Sequence, residues 1–294
     1  MKLVKPKAEI KEQELGLNGI YKQIEWAGRH CYKSLDKITD GSAKPFVDRM
    51  IKSKHLGMLE HGTVYLYDTY DVSAIDSWRC SLGYKYSQNK FSKVVTDEHM
   101  DIQGIYIITN LRVLVENDWL DDLQYLCEPT KYHERRITFK LVTSIGVTRE
   151  LNRHRVNSIA EQSTRYCNYS KDKFGNEITF CIPSWMNIPE GSYCDHDIAF
   201  MEELNEYKFY LHMLDSAERN YMYLIEQGLQ PQQAREVLPL CTATEAVYTA
   251  FESDWNHFFD LRYFENTGKV HPNMKELTTL MYKEYESYTK EKRN

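Results

Sequence analysis

The sequence predicts an α+β fold, and three observations carry that reading. The stretch from Ile137 to Val147 alternates strictly, with its apolar residues at every second position, which is the period of a strand with one buried face. Several other stretches repeat apolar residues every three or four positions, the period of an amphipathic helix. The chain, 294 residues long, has no internal repeat, low-complexity tract or Gly/Ser/Pro-rich linker to divide it. A single domain over 1–294 is therefore expected, with a core large enough to need no covalent staples.

The first helix is expected over 17–31, where Leu17, Ile20, Ile24 and Ala27 share a face. A second is expected over 45–56, on Phe46, Val47, Met50, Ile51 and Leu56. Residues 62–72 are rich in Thr, Val and Tyr and read as a strand. In the strand at 137–147, Ile137, Phe139, Leu141, Thr143, Ile145 and Val147 take one face. Thr138, Lys140, Val142, Ser144 and Gly146 take the other. That mixture predicts a second face that is half-exposed or covered by another subunit. Thr148 stands where it can cap a short helix through Glu150 and Leu151. The longest helical pattern, 197–227, carries Phe200, Leu204, Tyr207, Leu211, Leu214, Tyr221 and Leu224, and Gly228 is its stop. A short helix between Pro231 and Pro239 and a polar one over 273–293 complete the set.

Composition excludes several function classes. Lys and Arg number 37 against 43 Asp and Glu, a net charge of −6, whereas a general nucleic-acid binder shows a basic surplus. Hydrophobic residues make up 42% of the chain, too many for pervasive disorder. The seven cysteines, Cys31, Cys80, Cys127, Cys167, Cys181, Cys194 and Cys241, are scattered and odd in number, with no C-x-x-C pair. Neither a disulfide framework nor a zinc ribbon is expected. Cys181, Cys194 and His196 come nearest to a metal cluster and read as ordinary thiols and a loop histidine, so no metal is expected. The first residues carry no apolar signal segment, and no window approaches the ~18 apolar residues of a membrane span. The expectation is a cytoplasmic protein with no membrane or nucleic-acid partner.

The informative stretch is 148–166. Arg149, Arg153, Arg155 and Arg165 stand there with His154 and two serines, and no lysine is among them. Arginine is favoured where a planar fork must grip a phosphate or carbonyl edge at two points. The bland alternative is a solvated helix face paired with Glu150 and Glu161. The position of the cluster, directly after the clearest strand, favours a binding cleft.

Arg153-His154-Arg155, seven residues and then Ser163 resembles the R-H-R-x7-S signature of the flavin-dependent thymidylate synthases. The resemblance continues through Glu161 and Ser163-Thr164-Arg165-Tyr166, and returns at Ala234–Pro239 and Phe258–Arg262. Upstream, His55 and Glu60-His61 stand where that family has an H-x4-E-H segment. The likeness covers roughly 15–75 and 135–285, and residues 76–135 look like an insertion.

The resemblance implies conversion of dUMP to dTMP. The methylene comes from 5,10-methylenetetrahydrofolate and the hydride from NADPH by way of FAD. It also implies a central, mostly antiparallel sheet flanked by long helices, and a homotetramer with FAD between subunits. By resemblance, FAD is held by His55, Gly57, Arg153, His154, Arg155, Glu161, Ser253 and His257. The nucleotide dUMP is held by Glu150, Arg153, Glu161, Gln162, Ser163, Thr164, Arg165, Arg235 and Arg262. Arg262 is the catalytic group that binds the uracil edge and helps N3 ionise. Glu150 stands where the family has glutamine, and a carboxylate there needs Arg149 or Arg153 as a partner. Phe251-Glu252-Ser253 replaces the usual N-x-R block, with Phe251 able only to stack.

Two side chains are open to a covalent role. Ser163 is a nucleophile only if a base reaches it, and otherwise a phosphate or ribose ligand, the favoured reading. Cys167 is a second nucleophile or a packing residue. Three rival classes stay in view: an RNA-modifying protein, a zinc-dependent nucleotide hydrolase or deaminase, and an interaction protein using residues 76–135. The first lacks a basic surplus, and the second lacks H-x-E with P-C-x-x-C. A non-catalytic or altered-specificity nucleotide-binding homologue is the alternative within the family.

Overall fold

The computed structural model of the chain describes residues 1–71, 77–97, 102–200 and 206–293. In chain order its first elements are β1 (Lys2–Val4), β2 (Lys7–Ile10), α1 (Gly16–Cys31), α2 (Ala43–Lys52), β3 (Thr63–Asp71), α3 (Ser77–Cys80), α4 (Leu82–Ser87), β4 (Lys93–Thr96), β5 (Ile102–Asn110) and α5 (Leu111–Glu116). They continue with β6 (Arg136–Ser144), α6 (Ile145–Leu151), β7 (Ser158–Glu161), β8 (Thr179–Cys181), β9 (Gly191–Ser192), α7 (Asp195–Phe200), α8 (Lys208–Glu226), α9 (Pro231–Ala234), β10 (Ala243–Phe251), α10 (Glu252–Arg262) and α11 (Pro272–Arg293). The fold is α+β, but its strands do not form one central sheet. Among the described residues they form three, ordered β2-β6-β10-β7, β3-β5-β4 and β8-β1-β9. The first two are antiparallel throughout, and the third contains the parallel pair β1-β8.

The β2-β6-β10-β7 sheet positions the site. On one face Ile137, Phe139 and Leu141 of β6 join Ala246, Tyr248 and Ala250 of β10 in a buried cluster. Trp255, Phe258 and Phe259 of α10 close it from above, with Met274, Leu277, Met281 and Tyr285 of α11. These last four recur at helical spacing, so the polar tail still buries an apolar stripe. The other face is not left for a partner where β10 and β7 run. There α1 of the same chain covers Val247 and Ala160 with Ala27 and Cys31. Only toward the β2 edge do Lys140 and Val142 stay half-buried, with Lys140 paired to Glu9 at 3.0 Å.

The helix at 16–31 and the strand at 63–71 fall where periodicity predicts them. The second helix ends at Lys52 rather than 56, because Lys54 takes a left-handed φ of 57° and the chain restarts as a 3-10 turn over Leu56–His61. Gly62, next in sequence, passes so close to α1 that a Cβ there would meet Ile24 Cδ1 at 2.5 Å. The clear strand stops at Ser144, before the end of its alternating pattern. Ser144 caps α6 by accepting from the Val147 amide at 3.3 Å, so Thr148 lies inside the helix and is free for another role. Of the pattern at 197–227, α7 and α8 are helical and residues 201–205, with Leu204, lie outside the described residues. Leu211, Leu214 and Tyr221 are buried as expected, whereas Phe200 is exposed. Gly228 takes φ +89° and ends α8. Of residues 76–135, β5 and β4 complete the sheet begun by β3, and residues 76 and 98–101 lie outside the described residues.

Candidate active site

The strand-to-helix turn at Ser144 aims α6 across the end of the sheet, and the chain then turns back into β7. The R-H-R block occupies that return, held by Arg153 N to Glu150 O at 3.2 Å and His154 N to Leu151 O at 3.0 Å. Three consecutive residues on so tight a bend cannot all point outward. Arg153 and Arg155 are exposed, and His154 turns in, its ring edge-on to Phe258 at 4.9 Å between centroids.

There His154 meets Arg262 at the end of α10. The guanidinium Nε–H donates to His154 Nε2 at 3.1 Å. An accepting Nε2 places the ring proton on Nδ1, so His154 is neutral. Burial, then the charges of Arg262, His257 and Arg153, hold its pKa down at about 4. The same guanidinium faces Glu150 Oε2 from Nη1 at 3.6 Å. The partner of Glu150 is thus Arg262, not Arg149 or Arg153. A residue 112 positions away fills the role because α10 packs over the same sheet face that α6 caps.

Glu161 ends β7 opposite Ala246. Its carboxylate accepts the Thr148 hydroxyl at 2.9 Å. Burial pushes the Glu161 carboxyl up, with Thr148 and Asn152 working against that shift. Tyr248 of β10 braces the same corner by donating to Asn152 Oδ1 at 2.7 Å.

A second focus forms around the segment after β7. Arg235 Nη1 donates to Thr164 Oγ1 at 3.0 Å, joining the Ala234–Pro239 block to Ser163-Thr164-Arg165. The Ser163 amide donates to Cys31 O at the end of α1 at 2.9 Å, which fixes the segment on the sheet. Arg165 is exposed and lies over the Tyr166 ring at 5.3 Å. Ser163 Oγ accepts from the Arg165 amide at 3.4 Å, and His154 is committed to Arg262 rather than to Ser163. Cys167 is buried with its thiol pushed up by burial, as a packing residue would be. Gln162 is buried too, and its main-chain N–H donates to Glu245 O at 2.8 Å.

The remaining residues stand apart. His55 is exposed ahead of the 3-10 turn, and a Cβ added to Gly57 would meet nothing within 4 Å. Among the described residues no hydrogen bond or ion pair links either to the Arg153–Arg262 focus. Ser253 sits at the far end of α10, where its hydroxyl takes Lys93 Nζ at 2.5 Å and its amide donates to Glu134 at 2.9 Å. Phe251 is not presented for stacking. Its buried ring lies under Lys93 Nζ at 4.3 Å and Arg136 at 5.5 Å. His257, exposed on α10, lies near enough to His154 to depress its pKa.

Sequence reasoning missed Arg136. Nη1 donates to Glu60 O at 2.9 Å and Nη2 to Ser158 Oγ at 3.1 Å. It thereby clamps the Glu60-His61 segment to the strand that follows R-H-R. Burial pushes its pKa down to about 10. An arginine at the head of an alternating strand carries no signal separating it from a solvated edge. Glu245 was missed too. It reaches through the sheet's second face to His30 Nδ1 at 3.2 Å and Lys33 Nζ at 3.1 Å, pinning the end of α1. The hydrogen bond from His30, then Lys33, holds its carboxyl down at about 2.

A folded-state pKa below the ordinary value near ~4.3 gives stability that is present above that value and lost as pH falls. Glu245→Gln is expected to lower stability at neutral pH by on the order of 3 kcal/mol. The gap to wild type should close between ~pH 4.3 and ~pH 2. Denaturant unfolding of both proteins over that range checks this, and a gap that does not narrow on acidification contradicts it.

Among the described residues, no helix is long and apolar enough to cross a membrane, and no group of three His, Cys, Asp or Glu stands where it could hold a metal ion. A cavity of about 820 Å³ is lined in part by Lys11, Tyr65, Tyr132, Arg135, Arg136 and Tyr288, and by none of Arg153, Arg155, Arg165, Arg235 and Arg262.

Comparison with known proteins bears on the same segments. A curated flavin-dependent thymidylate synthase from Kosmotoga olearia is 30% identical over 124 residues, 42% of this chain and 52% of that protein. The chain thus spans about half the length of that relative. Among solved structures, the UMP/dUMP methylase PolB from Streptomyces cacaoi bound with 5-Br UMP is 14% identical with a TM-score of 0.44, covering 97% of this chain and 91% of that one. Thymidylate Synthase X from Helicobacter pylori with FAD and dUMP is 13% identical with a TM-score of 0.38, covering 95% and 92%. Both scores are too low to establish a shared fold. The family model described as thymidylate synthase complementing protein matches residues 131–288, from the approach to β6 into α11. That range holds Arg136, the R-H-R turn, Thr164, Arg235 and Arg262, and takes in more than half of the chain, which therefore belongs to the flavin-dependent thymidylate synthase family.

Proposed function

We propose that this chain converts dUMP to dTMP. The observation that carries the reading is the meeting of His154, from the R-H-R turn, with Arg262, more than a hundred residues later, at 3.1 Å. When bound, FAD supplies a hydride drawn from NADPH, and 5,10-methylenetetrahydrofolate supplies the methylene. The chain's own task is to bind and polarise the pyrimidine. Neutral His154 fixes the Arg262 Nε and Glu150 faces its Nη1, which leaves Nη2 as the donor turned to the uracil edge. A fixed guanidinium stabilises negative charge growing on that edge, which raises electron density at C5. Arg235, Thr164, Ser163 and Arg165 form the phosphate end. Among the described residues no base hydrogen-bonds to the Ser163 hydroxyl, and the Cys167 thiol is buried, in keeping with activation that uses no covalent protein nucleophile.

The residues fit a flavin dinucleotide at its charged centre. Arg153 and Arg155 are exposed cations beside the pyrimidine focus, suited to a diphosphate. His257 and Glu161 border the same region. His55, Gly57 and Ser253 lie on other elements, and the proposed homotetramer brings them to FAD across subunit interfaces. Because Ser253 already takes Lys93, that end contributes less to holding FAD. The small, water-soluble co-substrates accord with a cytoplasmic enzyme acting on small molecules.

Arg153→Ala is expected to weaken FAD retention by tenfold or more, on the order of a lost charge-assisted contact. Flavin absorbance after desalting measures it, and full occupancy in the variant contradicts the role. The proposed function itself is tested anaerobically. NADPH should bleach the bound flavin, and dUMP with methylenetetrahydrofolate should then yield dTMP. A protein that takes up no flavin and makes no dTMP sinks the reading.

A further inference from the structure

We infer that the 820 Å³ cavity at the head of β6 is a second binding site, for a nucleoside triphosphate, built largely by the end of the insertion. Its walls come from three distant parts of the chain: the segment between β2 and α1, residues 126–136, and the last turns of α11. None of the residues assigned above to dUMP or FAD lines it. The insertion's wall is fixed before any ligand arrives. Leu126 pairs with Leu66 of β3, and the Cys127 amide donates to Tyr65 O at 3.0 Å. Buried His133 donates from Nε2 to Leu66 O at 3.1 Å and accepts the Thr130 amide on Nδ1 at 3.1 Å. The Tyr132 ring lies on Tyr106 of β5 at 4.7 Å between centroids. Arg135 Nη2 donates to Lys292 O at 3.0 Å and ties this wall to α11. A cavity held open in this way costs a ligand little ordering of the protein.

The charges on the walls call for a polyanion. Lys11, Lys131, Arg135 and Arg136 line the cavity, and among the described residues none of the four is ion-paired with a carboxylate. The carboxylates of the same walls are already engaged. Glu12 is paired with Lys292, Glu14 with Lys22 at 2.7 Å and Glu134 with Lys93 at 2.7 Å, and Glu252 accepts the Tyr285 hydroxyl at 3.2 Å. An acidic chain thus gathers four uncompensated cations around one space. Arg136 has the greatest need of a counter-ion. Its Nη1 and Nη2 bond the neutral oxygens of Glu60 O and Ser158 Oγ, and its buried Nε–H has no acceptor. A guanidinium so placed is held at a desolvation cost that an anion nearby would offset.

The tyrosines supply the other half of the recognition. Tyr65, Tyr132 and Tyr288 bring aromatic rings to the same walls, and the hydroxyls of Tyr132 and Tyr288 bond nothing among the described residues. A ring with a free polar tip suits a base and its ribose. A chain of phosphates can meet several cations in succession, each through a charge-assisted hydrogen bond. The volume lies within the ~300–1,000 Å³ of small-molecule sites. Enclosure by three segments suits a compact ligand better than a polymer.

The experiment titrates ATP without magnesium into the FAD-loaded protein by calorimetry, with and without dUMP, while flavin absorbance is followed. One ATP should bind per chain with a Kd of ~100 μM or tighter. That Kd should not change when dUMP is present, and the flavin should stay bound. Lys131→Ala and Arg135→Ala should each weaken ATP by about tenfold. Lys131 is exposed and holds no ion pair, so its variant tests the site without burdening the fold. Lys283→Ala, exposed on α11 outside the cavity, should leave the Kd unchanged. Inorganic triphosphate should bind about tenfold more weakly than ATP, and Tyr132→Leu should narrow that difference. No heat at millimolar ATP, or an ATP affinity untouched by Lys131→Ala and Arg135→Ala, overturns the inference. So does release of ATP by dUMP or of flavin by ATP, which would put the nucleotide in the other site. Inorganic triphosphate binding as tightly as ATP would reduce the cavity to an anion site and overturn the nucleoside. The inference goes beyond the proposed function and does not rest on it. A protein that binds ATP but makes no dTMP contradicts only that function, and one that makes dTMP but binds no ATP contradicts only the inference.

Discussion

Arg262→Ala is expected to lower dTMP formation by ~10²–10³-fold while bound flavin is retained, the loss typical when one donor to a developing anion is removed. The effect follows from what the guanidinium touches. Its Nε is spent on His154 and its Nη1 faces Glu150, so the side chain is oriented before any ligand arrives. Such preorganisation lets a fixed charge act on the transition state without reorganisation at the moment of reaction. A lysine restores the charge but not the fork, and should recover only part of the rate. The variant also removes the largest charge acting on His154, whose pKa should rise from about 4 toward the ordinary histidine value. A histidine NMR titration reads that directly. Turnover close to wild type would remove Arg262 from the reaction, and an unmoved His154 would mean that burial alone holds it neutral.

The extent to which the sequence foretold this site follows the range of the interactions. Short-range patterns were legible. The helix over Gly16–Cys31 and the strand over Thr63–Asp71 follow their periods, and Gly228 ends α8 at the left-handed φ expected of it. The joining of distant blocks was legible only through the resemblance. Nothing local to Arg235 foretells its bond to Thr164, or local to Arg262 its bond to His154. Where a local rule failed, a nearby competitor had prevailed. Ser144 offers the same capping oxygen as Thr148 and comes first, so the helix starts there and the Thr148 hydroxyl is released to Glu161. The β6 face read as half-exposed or covered by another subunit stays half-buried at Lys140 and Val142, while on the neighbouring β10 and β7 the same side of the sheet takes α1, with Glu245 and Val247 meeting that helix's end. Residues 76–135 gave no local clue to their use, since β5 matters only by completing the sheet with β3 from before the insertion.

Trp255→Ala is expected to cost ~3–5 kcal/mol of stability, the range for deleting a large buried aromatic. Trp255 is fully buried, packs edge-on to Phe139 at 4.9 Å and Phe258 at 5.4 Å, and donates Nε1–H to Ile137 O at 3.0 Å. It holds the first turn of α10 down on β6. The consequence for function runs along the same helix, since Phe258 is the ring that backs His154, and Arg262 ends the helix. A cavity beneath α10 should therefore loosen the His154–Arg262 contact, and activity should be lost at temperatures where the fold persists. Trp255→Phe separates the two terms. It keeps most of the ring, loses the bond to Ile137 O, and should cost ~1–2 kcal/mol. Denaturant unfolding of both variants, with the His154 titration repeated on the folded state, tests the coupling. If Trp255→Ala costs less than ~1 kcal/mol, the sheet can collapse onto α10 without it. If stability falls but His154 stays near a pKa of about 4, the packing beneath α10 supports the fold without setting the geometry of the pair that the proposed chemistry uses.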